Sequence, residues 1–89
     1  MIEKQLTIIN KLGLHARATA KLIDVTSNFS CRIQLIRDGR AVDAKSIMSV
    51  MMLAAAKGTV LTVTADGEDE EKAIYALENL VNNYFGEGE

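Results

Sequence analysis

The sequence predicts an α+β fold, a four-stranded sheet covered on one face by three helices. Two observations carry this. Four short segments alternate apolar and polar residues as half-buried strands do, and three others repeat apolar residues at helical steps. Their order is β-α-β-β-α-β-α, and strands with one apolar face need a cover on that face only, which gives two layers. At 89 residues the chain is large enough for one core, so residues 1–89 are read as a single domain.

Each element has its own local reason. Ile2, Lys4, Leu6 and Ile8 alternate with Glu3, Gln5, Thr7 and Ile9, the mark of a first strand, and Asn10 to Gly13 reads as a loop. From Ala16 to about Ser27, the residues Ala16, Ala20, Leu22, Ile23 and Thr26 share a helical face, with Arg17, Lys21 and Asp24 off it. Asn28 is expected to end this helix, since asparagine tolerates the left-handed conformation. Arg32 to Arg37 forms the second strand, with Ile33 and Leu35 on one face. Asp38-Gly39 then signals a tight hairpin turn, in which both central residues need positive φ. Arg40 to Ala44 returns as the third strand. Ser46 is an N-cap for a short helix from Ile47 to about Leu53, and Lys57-Gly58 closes that region. Thr59 to Ala65 is the fourth strand, with Leu61, Val63 and Ala65 on one face. The last helix carries Ala73, Ile74, Leu77, Leu80, Val81 and Tyr84 at three- and four-residue steps. Its first turn holds Glu68 to Glu71, where carboxylates meet the positive end of the helix dipole, a better account of that run than a metal site.

Composition narrows the function. No apolar run approaches the roughly 20 residues a bilayer span requires. The opening residues carry no basic stretch followed by a long apolar one, so a cytoplasmic location is expected, without a membrane partner. The single Cys31 fits a reducing compartment and reads as a small strand-start residue. A net charge of −2 gives no general attraction for nucleic acid, and the four aromatics form no stacking motif. Lys11, Arg17, Lys21 and Lys45 nevertheless lie in the first half, so a local basic patch around His15 is compatible with an acidic chain.

His15 is the only histidine, and it stands where a strand pattern gives way to a helix, in Gly13-Leu14-His15-Ala16-Arg17. The amides of Ala16 and Arg17 lack intrahelical partners and bring the positive end of the dipole beside the ring. Such a terminus binds phosphate readily, and the Arg17 guanidinium adds forked donors that suit its oxygens. The same field disfavours a charged ring and leaves a nitrogen lone pair free as a nucleophile. Attack on phosphorus would place the new charge where donors already wait. No nucleophilic Ser or Cys is paired with His15 by motif, and no Cys/His/Asp cluster suggests a metal. The residues therefore point to a phosphoryl carrier rather than a free-standing enzyme, with no cofactor.

Gly13-Leu14-His15-Ala16-Arg17, Ala44-Lys45-Ser46-Ile47-Met48 and Ala56-Lys57-Gly58-Thr59 resemble the HPr family, the histidine-containing phosphocarriers of the bacterial phosphotransferase system. The resemblance covers nearly the whole chain. It implies an open-faced β-sandwich with four antiparallel strands in the order 1-4-2-3. His15 matches the family histidine, phosphorylated on Nδ1 by enzyme I with phosphoenolpyruvate as the original donor. Arg17 matches the active-site arginine. The phosphoryl group passes on to an enzyme IIA. Ser46 matches the serine modified by HPr kinase/phosphorylase in many bacteria. Ala18 stands where the family usually has proline, and Ser49 and Ala54 where relatives often have glycine; the latter two read as tolerated helical substitutions.

As a cap, Ser46 is worth about 1 kcal/mol. Phosphorylated, it would add about −1.5 to −2 charges at a helix N-terminus, which disturbs docking more than folding. Val50, Met52 and Leu53 are expected in the core, while Ile47, Met48 and Met51 form a partly exposed ridge. The family docks enzyme I, enzymes IIA and the kinase on this ridge and on the exposed face of the first helix, where Lys21 lies. Transient docking of this kind suits a monomer. Asn10-Lys11-Leu12-Gly13 also resembles the nitrogen-related branch, which leaves a regulatory binding module, controlled through Ser46, as the alternative to sugar uptake.

Overall fold

Alternation along the strands collects Leu6, Ile33, Leu35, Leu61 and Val63 in one buried cluster, and the helices close over it. The computed structural model describes residues 1–88. Its elements are β1 (Ile2–Thr7), α1 (Ala16–Thr26), β2 (Arg32–Arg37), β3 (Arg40–Asp43), α2 (Ile47–Met51), β4 (Val60–Asp66) and α3 (Glu70–Asn82), followed by a tight turn at Tyr84–Gly86. All pairings are antiparallel and the strand order is β1-β4-β2-β3. The register aligns Leu6 with Leu61, Ile33 with Ala65, and Leu35 with both Val63 and Val42. Leu22 of α1, Val50 of α2 and Ile74, Leu77 and Val81 of α3 complete the core with Phe85. This is the α+β open-faced sandwich that the sequence predicts.

The hairpin turn behaves as its residues require, with φ of 51° at Asp38 and 80° at Gly39. Two buried threonines of α1 keep their hydroxyls satisfied, Thr19 donating to the Leu14 carbonyl and Thr26 to those of Ile23 and Ala44. Asp69 precedes α3 without capping it. Its carboxylate instead accepts the backbone N–H groups of Ser30 and Cys31, clasping the start of β2 to the end of the β4–α3 loop. Backbone hydrogen bonding, that from Ser30 first, holds the Asp69 carboxyl below its ordinary range.

The structure corrects several expectations. The buried face of α1 is Ala18, Thr19, Leu22 and Thr26, while Ala16 and Ala20 are exposed. The face is rotated toward Ala18 and Thr19, and Thr19 is a polar residue that a pattern of apolar residues does not count, whereas Leu22 and Thr26 are buried as expected. Asn28 is not left-handed; α1 ends through Ser27 in right-handed geometry. Ala54 lies beyond α2, not within it, at φ 50°, so it is a strained left-handed residue and not a helical substitution. Tyr84 lies outside α3, where Tyr84 and Phe85 both turn left-handed (φ 56° and 52°), which buries Phe85 and leaves Tyr84 exposed.

Candidate functional site

The site starts from a glycine that has no substitute. Gly13 sits at φ 68°, and a Cβ there would meet the Ala55 carbonyl oxygen at 2.5 Å. That close approach lets the Leu14 N–H donate to the same carbonyl at 2.8 Å, which pins the entry to α1 against the chain leaving α2.

His15 follows as the N-cap of α1. Its backbone is extended, its carbonyl accepts the Thr19 N–H at 2.9 Å, and its Nδ1 accepts the Arg17 N–H at 3.2 Å. A backbone N–H only donates, so Nδ1 carries a lone pair, and that lone pair faces the open N-terminus of the helix. The ring is partly open to solvent, its side chain 28% exposed. Sequence reasoning placed the ring beside the terminal amides; the structure adds that it caps one of them.

The other ring nitrogen has a partner that the sequence did not reveal. His15 Nε2 lies 2.5 Å from Oε2 of Glu87, 72 residues further along the chain. The other carboxylate oxygen, Oε1, accepts Nδ2–H of the buried Asn10 at 3.0 Å, and Asn10 also donates to the Gly13 carbonyl. The Asn10 amide, followed by the His15 ring, holds the Glu87 carboxyl below its ordinary range, against partial desolvation that acts the other way. Asn10 reads as a loop residue, and no motif in the sequence singles out Glu87. No spacing rule connects them to His15, and only the left-handed turn at Tyr84–Gly86 brings Glu87 back to the ring.

Arg17, Lys11 and Lys21 share an open cleft of about 360 Å³ with Leu12, Gly86 and Glu87. Three of the four expected cations therefore form a local basic patch, while Lys45 lies elsewhere and donates to the Phe29 carbonyl. Arg17 is exposed, and among the described residues its guanidinium has no hydrogen-bond or ion-pair partner. Ala16 is exposed beside it. Lys21 is engaged, because its ammonium donates to the Phe85 carbonyl at 2.7 Å and ties down the turn that carries Glu87.

Ser46 caps α2, its hydroxyl accepting the Ser49 N–H at 3.4 Å. Ile47, Met48 and Met51 are exposed, as expected for a ridge. Met52 is a correction: it is exposed and extends the ridge, while Val50 and Leu53 fill the core. The helix ends at Met51, so Met52 begins a turn that faces outward.

Comparison with known proteins identifies the family. Residues 2–83 match the family model described as the PTS HPr component phosphorylation site. The chain belongs to the HPr family. It is 56% identical to the phosphocarrier protein HPr of Cupriavidus necator over 89 residues, the full length of both. It is 54% identical to that of Pseudomonas aeruginosa over 86 residues, 96% of each chain. Among solved structures, an HPr from Thermoanaerobacter tengcongensis superposes with a TM-score of 0.95 at 45% identity, covering 98% of each chain. HPr proteins are phosphocarriers of the phosphotransferase system, and the fold, the motifs and the comparisons place this chain among them.

Proposed function

We propose that the chain, as one cytoplasmic and monomeric domain over residues 1–89, takes a phosphoryl group from phospho-enzyme I onto Nδ1 of His15 and passes it to an enzyme IIA. The observation that carries this reading is the Nδ1 lone pair held at the N-terminus of α1 by the Arg17 N–H. A neutral nitrogen nucleophile thereby sits where a dianionic group is favoured. As the N–P bond forms, the donor's own ring nitrogen takes back the electron pair of the bond that breaks. The N–H groups of Ala16 and Arg17 and the Arg17 guanidinium then serve the phosphoryl oxygens. The protein acts as a carrier, since each phosphoryl group that arrives must leave before the next.

Partners dock on the exposed Ile47, Met48 and Met51, extended by Met52, beside the face of α1 that presents Arg17 and Ala20. Lys21 contributes charge there only as far as its bond to Phe85 allows. Ser46 is a regulatory site: a phosphate at the α2 cap sits on a helix N-terminus, which tolerates it, next to Met48, where a hydrated charge opposes apolar docking. That arrangement favours a second role as a regulatory module recognised by a HPr kinase/phosphorylase, alongside or in place of sugar uptake.

Incubation with phosphoenolpyruvate and enzyme I is expected to produce one acid-labile, alkali-stable phosphoryl group, lost in His15→Ala. A His15→Ala protein that still takes up the label refutes the acceptor assignment. Intact-mass analysis of protein from cells reports whether position 15, position 46 or neither is occupied.

A further inference from the structure

The two nitrogens of His15 have fixed and opposite roles. Nδ1 faces an N–H and so must accept; Nε2 faces a carboxylate, which when ionised only accepts, and so must donate. One contact alone would leave the tautomer open. Together they select the form with its proton on Nε2, the form whose Nδ1 is nucleophilic.

The carboxylate is held with some effort. Tyr84 and Phe85 adopt left-handed backbone, at φ 56° and 52°, which L-residues resist. Gly86 continues the turn at φ 75°. Burial of Phe85, the Lys21 bond to its carbonyl and the Asn10 bond to Glu87 keep this turn in place. Strain that persists beside a reacting group points to a positional requirement there. Asn10 supports the same view: it is fully buried and its own Oδ1 accepts from no donor among the described residues, while both of its donor contacts serve the site loop and Glu87.

We propose that Glu87 is a positioning residue for phosphoryl transfer, fixing the His15 tautomer and balancing the positive charge that the ring acquires while Nδ1 bears the phosphoryl group, and that Asn10 holds Glu87 in place. The inference rests on the carrier reading above. When Nδ1 uses its lone pair to bond phosphorus, no proton leaves His15. The ring then carries phosphorus on Nδ1 and hydrogen on Nε2, hence one positive charge, opposite the Glu87 carboxylate. On transfer to the next acceptor the N–P bond breaks and its electron pair returns to Nδ1, so the ring leaves as neutral imidazole. Had Nε2 lost its proton, the ring would have to leave as an anion, a far poorer leaving group. Lys11, Arg17 and Lys21 line one cleft with Glu87, and cations there oppose a positive ring nearby; among the described residues Glu87 is the carboxylate bonded to that ring, which makes it the balancing charge.

The test compares wild type, Glu87→Gln, Glu87→Asp and Asn10→Ala by nitrogen–proton NMR of the His15 ring, then by phosphoryl transfer to an enzyme IIA across pH. In wild type the ring is expected as the single Nε2–H tautomer. Glu87→Gln has one oxygen where Asn10 and His15 each need one, so the tautomers should mix. Its transfer rate should fall off at a pH lower than that of wild type by about one unit. Glu87→Asp keeps the charge and should recover part of both effects. Asn10→Ala should mimic Glu87→Gln in milder form; if it fails to fold, the Glu87 variants decide alone, since backbone amide spectra will show their fold intact. A wild-type tautomer and transfer profile in Glu87→Gln overturns the proposal. Absence of any phosphorylation of wild type overturns the carrier reading instead, and the tautomer measurement on the unphosphorylated ring then decides the positioning role by itself.

Discussion

Replacing Ala54 with glycine is expected to stabilise the protein by about 0.5–1 kcal/mol, the balance of the two terms below. Ala54 holds φ 50° just past the end of α2. An L-residue in that region costs roughly 1–2 kcal/mol, because Cβ crowds the following carbonyl. Glycine removes the crowding but frees the unfolded chain, which takes back about 0.4–1 kcal/mol. No packing is lost, since Ala54 is exposed. The hydrogen bonds from Arg37 to the carbonyls of Leu53 and Ala54 go to backbone and survive the change. For a chain of this size the gain corresponds to a rise in Tm of about 2–8 °C. Thermal and urea unfolding followed by circular dichroism measures it. Ala56→Gly serves as the control: Ala56 is also exposed but has no positive φ, so it should destabilise by about 0.4–1 kcal/mol. If Ala54→Gly unfolds at or below the wild-type temperature, the strain argument is wrong.

Three further outcomes follow from buried and charged groups. Cys31 is buried, and burial, then the hydrogen bond and charge of Asp69, push its thiol up to about 11; iodoacetamide at pH 8 should modify it only in denaturant, and rapid labelling of the folded protein contradicts this. Asp69 titrates below its ordinary 3.8 in the folded state, so its contribution is present above that pH and is lost as pH falls through the lower folded value. Asp69→Asn should therefore lower stability at pH 7 and shrink the difference from wild type towards pH 3, as read by urea midpoints along a pH series. Phe85 is fully buried in the core, and Phe85→Ala should cost about 3–5 kcal/mol in urea unfolding; a loss under 1 kcal/mol would mean that the turn is not anchored there.

Most of the fold was legible because it rests on local rules. The strand faces of Ile33 and Leu35, and of Leu61 and Val63, follow from alternation, and the 38–39 turn from the φ that Asp-Gly accepts. The order 1-4-2-3 came from the family motifs, since alternation says nothing of which strands pair. Failures came where tertiary structure overrules local preference. α1 buries Thr19 because the carbonyl of Leu14 is waiting for its hydroxyl, and that acceptor lies outside the helix. Tyr84 continued the apolar period of α3, yet the chain breaks into left-handed backbone to bury Phe85 instead. In the site, His15, Ala16 and Arg17 are consecutive and could be read together. Glu87 joins them and Asn10 only through contacts spanning 72 and 77 residues, which no local pattern encodes.

A carrier must accept a phosphoryl group easily yet resist losing it to water, and the geometry separates these demands by side of the ring. Toward Nδ1 the chain offers donors: the helix amides and the Arg17 guanidinium, none of which takes a proton from water. The group able to act as a base, the Glu87 carboxylate, lies at Nε2, with both oxygens already accepting hydrogen bonds from Asn10 and His15. On the proposed carrier reading, a water approaching phosphorus meets no free base among the described residues, while an incoming histidine brings its own lone pair and needs none. On the same reading, the Arg17 N–H that holds Nδ1 in the empty form is freed when that lone pair bonds phosphorus, and a phosphoryl oxygen becomes its acceptor. One donor would thus prepare the nucleophile and afterwards serve the charge it has acquired, at a single helix terminus.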